Sequence, residues 1–347
     1  MGDDGWKDMP ALISRDTIAA LCEALKTFSA GQAAPFAVVL HGGEPLMMGA
    51  RRLKFLFQSL RAAVPVEHVV CMQTNGMLIS DEILDICETY RVSLSVSLDG
   101  PQQTNDKFRI GKKGESTFDK VTAGIKKLRA HRSSDFLFAG ILSVIDPTSD
   151  AAEVYEFLKG IGAPSMDFLY RDGNHSNLPF GKDKFESVEY GQWLSGLLDV
   201  YLADPLPVRI RFLDDLIKLS LGGRSIKEGL GQSEYGIAVI ETDGSISKND
   251  TLKSSFPGAD RFGEPWSVQR HSLKSIFDSA EFESYHALQT PTSAQCQACP
   301  QLKICGGGMP LHRWKDGMEF NNPSVYCNDQ KLIIQQINQK LMAEGVM

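Results

Sequence analysis

Amphipathic helices and short apolar strands alternate along this chain from residue 14 to about residue 170, and this alternation limits the possible folds more than any other feature. Ser14, Ser80 and Ser116 each precede a stretch with apolar residues at helical spacing, where a serine can cap a helix. Apolar runs between the helices predict five strands, at residues 36–40, 68–72, 92–98, 136–145 and 165–170. Strands joined by single helices run parallel, and their near-continuous apolar character indicates that both sheet faces are covered. The prediction is an α/β fold, either a barrel or an open sheet, with a site at the carboxyl ends of the strands.

The bulk composition is ordinary for a globular protein, with 42% hydrophobic and 23% charged residues over 347 positions. A net charge of −7 without a long run of Lys or Arg argues against a nucleic-acid partner. No apolar run approaches the length that crosses a membrane, and the polar, acidic first residues do not resemble a signal peptide. Together with an odd count of seven cysteines, these features predict a cytoplasmic protein whose clustered thiols hold metal.

Four of the cysteines lie in the last sixth of the chain, as Cys296, Cys299, Cys305 and Cys327. Thiolates at such spacings can surround one metal centre, and soft sulfur ligands select zinc, Cu(I) or an iron–sulfur cluster. Residues 300–308, around Cys305, predict a tight loop hinged on three glycines rather than a helix. The spacing leaves two interpretations open, a functional metal site and a zinc knuckle that only staples the C-terminus.

Small polar residues and glycine follow three successive predicted strands. The segments are His-Gly-Gly-Glu-Pro at 41–45, Gln-Thr-Asn-Gly at 73–76 and Ser-Leu-Asp-Gly-Pro at 97–101. Gly42 and Gly43 let a ligand approach bare backbone, and Glu44 adds a carboxylate that could hold an ammonium group. Each segment alone is also typical of a plain turn between strand and helix, but three in succession predict one shared pocket.

Several single residues have a plainer interpretation. Asp250 follows a predicted hairpin that turns at residues 243–244, and a lone carboxylate there is typical of a solvated loop. His175 and His312 are predicted to be surface residues in loops. The remaining cysteines are predicted to be packed core thiols: Cys22, Cys71 and Cys87.

The order of these segments resembles the radical S-adenosylmethionine (radical SAM) enzymes. In the first half, the resemblance is carried by the segments at 41–45, 74–76 and 97–101, by Thr-Phe-Asp at 117–119 and by Gly-Ile at 124–125. The segments at 296–300, 305–308 and 322–327 are similar to the C-terminal SPASM domain that some of these enzymes carry. The resemblance covers nearly the whole chain. It points to sulfatase maturases and to maturases of ribosomally made peptides. Among these, the sequence motifs are most similar to those of the cyclophane-forming enzymes.

This resemblance implies a partial (β/α)6 TIM-like barrel over residues 1–175, a helical connection over 176–232 and a SPASM-like iron–sulfur domain over 233–347. It implies that S-adenosylmethionine contacts the first three strand ends, with the Gly-Gly-Glu-Pro segment at the methionine amino group and the strand serine at its carboxylate. The matching residues are Gly42, Gly43, Glu44, Pro45, Asn75 and Ser97. The resemblance also implies that Cys296, Cys299, Cys305 and Cys327 ligate an auxiliary 4Fe–4S cluster. By the same resemblance, Asp250 serves as a catalytic base.

The chain departs from the family pattern in three places. Met309 stands four residues after Cys305 where a cysteine is usual, and Asn249 stands where the hairpin region usually supplies another. These two changes predict one auxiliary cluster rather than two. The printed sequence also has no Cys-x3-Cys-x2-Cys motif and no first barrel strand, so we expect a chain shortened at its N-terminus, inactive as printed. Loss of that strand should leave an unpaired sheet edge and a bare apolar helix face.

The leading prediction is a radical SAM oxidoreductase that cross-links or oxidises a side chain of a precursor peptide or protein. The expected cofactors are one auxiliary 4Fe–4S cluster and S-adenosylmethionine, with a second 4Fe–4S cluster only if the missing segment exists. The expected electron donor is a flavodoxin or ferredoxin. Two alternatives remain open at this point: a non-catalytic relative that binds peptide or relays electrons through one cluster, and an inert zinc-stapled α/β protein.

Overall fold

The computed structural model describes residues 5–232 and 236–346. The strands are β1 (Ala37–Leu40), β2 (Val69–Thr74), β3 (Val92–Ser97), β4 (Phe138–Val144), β5 (Met166–Leu169), β6 (Val239–Ile240) and β7 (Ile246–Ser247). The helices of the first part are α1 (Arg15–Ala30), α2 (Ala50–Ala63), α3 (Asp81–Thr89), α4 (Gln102–Asn105), α5 (Phe118–Ala130), α6 (Ser134–Leu137), α7 (Ala151–Gly160), α8 (Glu189–Ala203) and α9 (Arg211–Ser220). Those that follow are α10 (Leu273–Phe277), α11 (Ala280–Ala287), α12 (Ala294–Gln297), α13 (Leu302–Cys305), α14 (Pro310–Arg313) and α15 (Cys327–Ala343). Within the described ranges, no helix combines the length and the apolar composition that a membrane crossing needs.

The predicted helix caps are present at two of the three serines. Ser14 Oγ accepts a hydrogen bond from Thr17 N at the start of α1, and Ser80 Oγ accepts one from Ile83 N at the start of α3. Each bond satisfies a backbone donor that the first helical turn leaves unpaired. At α5 the prediction is off by one residue, because Thr117 occupies the cap position and Ser116 lies before it.

Strands β1 to β5 form one parallel sheet in sequence order, as predicted. The register places Val39 beside Cys71, Met72 beside Leu94 and Ile141 beside Met166. This order follows from the single helix between neighbouring strands, which returns the chain to the same end of the sheet each time. The carboxyl ends of all five strands therefore lie at the same end of the sheet.

Helices cover only one face of the central strands, so the prediction of two covered faces is wrong. Val92, Leu94 and Val96 of β3 are fully buried, whereas the serines that alternate with them are half-buried. Strand β2 shows the same alternation. Because successive side chains point to opposite faces, the small polar residues form a second face that solvent reaches. A ligand can occupy this inner face.

Strand β1 lies at one edge of the sheet, and Val39 on it is 53% exposed. A predicted exposed edge is therefore present.

Helix α5 approaches the turn after β2 so closely that a Cβ on Gly124 would lie 2.2 Å from the Gly76 carbonyl oxygen. Glycine at this position lets the helix support the turn that carries predicted site residues.

The C-terminal part contains the predicted hairpin and more helix than expected. Strands β6 and β7 are antiparallel and turn at Asp243 and Gly244. The predicted loop before the three glycines is wrong at residues 302–305, which form α13 because Cys305 N and Gly306 N donate to Gln301 O and Leu302 O. Gly306, Gly307 and Gly308 then all have positive φ, as a glycine hinge requires.

Both loop histidines are also less exposed than predicted. His312 lies in α14 with 2% exposure, and its ring centroid is 4.9 Å from that of Tyr326. His175 is half-buried, and its Nε2 lies 2.7 Å from Pro323 O. The surface prediction was wrong because Tyr326 packs against His312, and because Pro323, distant in sequence, contacts His175. Of the three predicted core thiols, Cys87 is fully buried, and Cys22 and Cys71 are half-buried.

Candidate functional site

The Glu44 side chain ties the turn after β1 to the end of β2. Its Oε1 accepts hydrogen bonds from Leu46 N at 3.0 Å and from Thr74 Oγ1 at 2.7 Å, and its Oε2 accepts one from Asn75 N at 2.7 Å. These donors use three of the roughly four acceptor positions of a carboxylate. Glu44 thus holds two strand ends together, and its predicted contact with an ammonium group stays a prediction.

The end of β3 joins the same group through Ser97. Gln73 Nε2 donates to Ser97 Oγ at 2.8 Å, which orients the hydroxyl so that its own hydrogen can donate to a ligand. Asn75 Oδ1 accepts from Met77 N at 3.0 Å and shapes the turn after β2. The predicted cofactor-binding residues therefore lie on three neighbouring strand ends that are linked by hydrogen bonds.

Gly42 and Gly43 form an open stretch of backbone beside these strand ends. Their φ angles are +78° and +46°, and no atom lies within 4 Å of where a Cβ would stand on either residue. The left-handed conformation favours glycine, and the free space leaves the backbone amide and carbonyl groups accessible. This is the arrangement that a ligand approaching the backbone needs.

Asp250 lies beside the end of β1, although 200 residues separate the two in sequence. Its Oδ2 is 3.8 Å from His41 Nδ1, and its side chain is 43% exposed. The short helical turn after β7 carries it there, since Asn249 Oδ1 accepts from Thr251 N and caps that turn. The structure thus places the predicted base next to the predicted cofactor-binding backbone.

Asp172, which the sequence interpretation missed, is a second acid near Asp250. It follows β5, and its Oδ2 accepts a hydrogen bond from Ser254 Oγ at 3.3 Å. The pKa of Asp172 is raised, first because the surrounding protein desolvates it and second because the Asp250 carboxylate repels its charge. The signal that could have revealed it is the one used for the first three strands, polar residues directly after a strand.

Asp99 has a structural task at the end of β3. Its Oδ1 accepts from Val144 N at 2.9 Å, and its Oδ2 lies 2.8 Å from Arg109 Nε. The carboxylate is buried. These contacts clamp the ends of β3 and β4 at a fixed separation, so the conspicuous Ser-Leu-Asp-Gly segment contains one ligand candidate and one clamp.

The four clustered cysteines line one small cavity together with Gln301 and Lys331. All four are free thiols. Desolvation raises the pKa of the Cys305 thiol to about 12, and the neighbouring sulfurs add to this shift. Four thiolates at this place therefore require a cationic centre to form, and a metal bound to all four would provide it. The donor set consists of sulfur alone, which fits an iron–sulfur cluster.

The spacing of the sulfur atoms is wider than a zinc site requires. Among the described residues, only Asp85, Glu88 and His131 bring three potential ligand atoms within 4.8 Å of one another. Any three of the cysteine sulfurs therefore include a pair that is farther apart. A tetrahedral zinc site with Zn–S bonds of about 2.3 Å holds its sulfurs about 3.8 Å apart. This spacing favours a larger inorganic core over the zinc knuckle.

A buried ion pair fixes the helix that begins with Cys327. Lys182 Nζ lies 2.7 Å from Asp329 Oδ2, and both side chains are 0% exposed. Asp329 Oδ1 accepts from Gly191 N at 2.8 Å, so α15 is held against α8. A Cβ on Gly191 would lie 2.8 Å from Asp329 Cα, which explains why glycine stands at this contact.

Tyr326, directly before Cys327, connects the cysteine region to the end of β5. Its ring stacks on that of Tyr170 with centroids 4.3 Å apart, and its hydroxyl donates to Arg171 O at 2.5 Å. Tyr326 is fully buried and Tyr170 is half-buried, and desolvation raises the pKa of each well above its ordinary value. The cysteine cavity and the strand-end region are thus joined by rigid, closely packed side chains.

The two positions that depart from the family pattern have ordinary structural contacts. Asn249 is buried; its Nδ2 donates to Glu228 Oε1, and its backbone N donates to Tyr285 Oη. Met309 lies against Gly229, where a Cβ would be 2.8 Å from Met309 Cγ. Neither position offers a sulfur ligand that a second auxiliary cluster needs, and the count of one auxiliary cluster stays a prediction.

Comparisons with known proteins show what the chain is similar to. No protein-family model matches the chain. It is 22% identical over 315 residues to a cysteine-type anaerobic sulfatase-maturating enzyme of Clostridium novyi (strain NT), covering 86% of this chain and 80% of that protein. It is 25% identical over 298 residues to a serine-type anaerobic sulfatase-maturating enzyme of Bacteroides thetaiotaomicron, covering 79% and 69%.

Solved structures agree in fold. The structure of native anSMEcpe with bound AdoMet superposes with a TM-score of 0.82 at 19% identity, over 96% of this chain and 89% of that one. Streptococcus suis SuiB bound to S-adenosylmethionine gives a TM-score of 0.60 at 15% identity, over 92% and 72%. The parallel five-stranded sheet therefore belongs to a fold that this chain shares with anSMEcpe and SuiB.

The predicted resemblance to radical SAM peptide maturases is confirmed by these relatives. The chain is an enzyme similar to these relatives, which are sulfatase-maturating enzymes. The inert alternative is set aside, because these relatives are enzymes, and the identity of the metal at the cysteines stays a prediction.

Proposed function

We propose that this protein is a maturase that binds S-adenosylmethionine and oxidises or cross-links a side chain of a ribosomally made precursor peptide or protein. The observation that carries the proposal is that the open backbone of Gly42 and Gly43, the Ser97 hydroxyl and the Asp250 carboxylate all lie at the carboxyl ends of the strands. The relatives are sulfatase-maturating enzymes, and solved neighbours hold AdoMet and peptides, which supports the same substrate class.

The strand-end residues are proposed to bind the cofactor by complementary polar contacts. The carbonyl groups of Gly42 and Gly43 accept from the methionine amino group, and Ser97 Oγ donates to the methionine carboxylate. Glu44, Pro45 and Asn75 keep the two turns in place around it. Bound there beside a reduced 4Fe–4S cluster, S-adenosylmethionine would supply the radical chemistry that removes hydrogen from the substrate side chain.

Asp250 is proposed to be the base that accepts a proton from the substrate side chain as it is oxidised. Its partly exposed carboxylate can reach both the substrate and solvent, which allows the proton to leave. Asp172 is the neighbouring acid, and the Asp250 carboxylate contributes to its raised pKa after desolvation. His41 Nδ1 lies 3.8 Å from Asp250 Oδ2.

The C-terminal part is proposed to be a SPASM-like domain in which Cys296, Cys299, Cys305 and Cys327 hold one auxiliary 4Fe–4S cluster. The cavity that the four cysteines line and the distances between their sulfur atoms support this assignment. A flavodoxin or ferredoxin is the proposed electron donor.

The sheet is proposed to be part of a (β/α)6 barrel that has one more strand beside β1. The exposed edge of β1, with Val39 open to solvent, supports a further strand there. We expect that strand in the complete gene, upstream of the codon for Met1, together with the three cysteines of the cleaving cluster. Sequencing the DNA before that codon tests this directly, and an in-frame stop codon close upstream would refute it.

Activity is tested with protein from the complete gene, reconstituted anaerobically with iron and sulfide. Incubation with S-adenosylmethionine, dithionite and the product of any small precursor gene beside this one should yield 5′-deoxyadenosine and a peptide of altered mass. Oxidation and cross-linking each remove two hydrogens from the peptide, so fragmentation in the mass spectrometer is needed to distinguish them. Deoxyadenosine without any change in peptides from neighbouring genes would argue against the substrate class.

The role of Asp250 is tested with Asp250→Asn in the same protein. We expect product formation to fall by about 100-fold, because one general base contributes roughly that much or more. Asp278→Asn is the matched control, since Asp278 is an exposed carboxylate paired only with a neighbour on the surface. Unchanged product yield in Asp250→Asn would overturn the assignment.

A further inference from the structure

Gln330 faces the sulfur of Cys305 inside the cysteine region. The distance between Cys305 Sγ and Gln330 Oε1 is 3.0 Å, and Gln330 is 3% exposed. It lies on α15, one helical turn after Cys327, so the same helix supplies a metal ligand and this amide. The backbone amide of Gly307 also donates to Cys305.

The direction of this hydrogen bond must change when Cys305 ligates a metal. With a protonated thiol, sulfur donates and the amide oxygen accepts, as in the structure. A thiolate has no hydrogen and can only accept. The two ends of a glutamine amide have nearly the same shape, so a half-turn about the last side-chain bond places Nε2 where Oε1 stood.

We propose that Gln330 donates an N–H hydrogen bond to the Cys305 thiolate and thereby raises the reduction potential of the auxiliary cluster. This inference rests on the proposed function, because it requires that the four cysteines hold an iron–sulfur cluster. Its content is separate: it assigns to Gln330 the setting of the potential, which the ligand set alone does not determine.

The physical reason is the charge on the sulfur. Reduction adds an electron to a cluster whose ligands already carry negative charge, and a donor hydrogen bonded to a ligand sulfur stabilises the more negative state. The site is closed to bulk water at Gln330, so few other donors can replace it. Hydrogen bonds from outside the ligand set are a general means by which proteins tune metal centres.

The test compares reduction potentials of the auxiliary cluster in the reconstituted full protein, measured by EPR-monitored titration without substrate. Gln330→Met keeps the length of the side chain, and Gln330→Leu fills the space with an apolar side chain of different shape. Neither side chain can donate a hydrogen bond. Both are expected to lower the ratio of reduced to oxidised cluster at a fixed potential about tenfold, which is a shift of about 59 mV for one electron. Gln335→Met, an exposed glutamine on the same helix, should leave the potential unchanged.

The outcomes separate this inference from the function on which it rests. Wild-type protein without a C-terminal iron–sulfur cluster would overturn both. A wild-type cluster whose potential is the same in the iron-loaded Gln330 variants would overturn the role of Gln330 alone. A lowered potential in both variants, with wild-type iron content and an unchanged Gln335→Met control, supports the proposal.

Discussion

The strand-end site and the cysteine site are built in opposite ways. At the strand ends, Glu44, Thr74, Gln73 and Ser97 are brought together by the sheet itself, because neighbouring parallel strands end at one edge. At the cysteines, no sheet is present, and the ligands depend on a buried ion pair and stacked aromatic rings from distant parts of the chain. The first site should therefore tolerate loss of single polar contacts, whereas the second should fail when one long-range contact is removed.

The largest effect is expected from removing a ligand. Cys299→Ser should lower the iron content by about four atoms per chain, because it removes one of the four cysteine ligands proposed for the auxiliary cluster. Iron analysis and the visible absorbance after anaerobic reconstitution measure this. Cys87→Ser, in the buried core among the helices, is the matched control and should keep its iron. Equal iron in both variants would contradict the ligand assignment.

The next effect concerns the support of the cysteine site. Asp329→Ala leaves the buried Lys182 ammonium with only the more distant Glu189 carboxylate, at 3.8 Å, which should cost about 3 kcal/mol in the free energy of unfolding. Chemical denaturation of the iron-free protein measures it. Lys274→Ala breaks an exposed pair with Asp278 and should cost less than about 0.5 kcal/mol. The double variant Lys182→Met with Asp329→Leu, which replaces both buried partners, should recover part of the lost stability. Equal losses of stability in Asp329→Ala and Lys274→Ala would contradict the importance of burial for this pair.

A pH dependence of stability should also distinguish the two regions. Desolvation, and secondarily Arg313, lowers the pKa of His312 to about 3. The unfolded chain binds a proton near pH 6.5 and the folded chain does not, so His312 lowers stability as the pH falls from about 6.5 towards 3. The expected slope is about 1.4 kcal/mol per pH unit at most. His312→Gln should flatten the acid limb of the unfolding curve, while the 58% exposed His41 of the strand-end site, replaced in His41→Gln, should not.

The smallest effect on stability is expected at the open backbone of the strand-end site. Gly43→Ala should cost about 1–2 kcal/mol, because its φ of +46° is unfavourable for a residue with a Cβ. Gly114→Ala has a similar backbone cost, with φ of +80° and equally open surroundings, but lies away from the strand ends. Equilibrium dialysis of the reconstituted protein should show weaker S-adenosylmethionine binding for Gly43→Ala only. Equal affinities would remove the glycine backbone from the proposed site.

The sequence interpretation succeeded where local pattern and chain order were sufficient. Five parallel strands and the hairpin at residues 243–244 follow from apolar periodicity and turn residues. It failed where packing between distant segments decided the outcome. The histidines predicted at the surface are buried by aromatic neighbours, and residues 302–305 form a helical turn although glycines follow them.

The candidate site divides along the same line. Polar residues after three strands pointed to a shared mouth, since strand ends of a parallel sheet must meet. Asp250 could not be placed from the sequence, because a lone carboxylate in a loop has no pattern, and only the fold brings it beside His41. Asp172 and Gln330 were missed because their significance lies in a neighbour, Asp250 for one and Cys305 for the other.

By itself, the amino-acid sequence determined the α/β alternation, the polar strand ends and the set of four clustered cysteines, because these depend on residues close together in the chain or on simple parallel order. The tertiary structure decided which carboxylates share the mouth, how the helix carrying Cys327 is held, and which amide faces a ligand sulfur. Those contacts join residues up to about 200 positions apart, and their energies depend on burial, which exists only once the chain has folded.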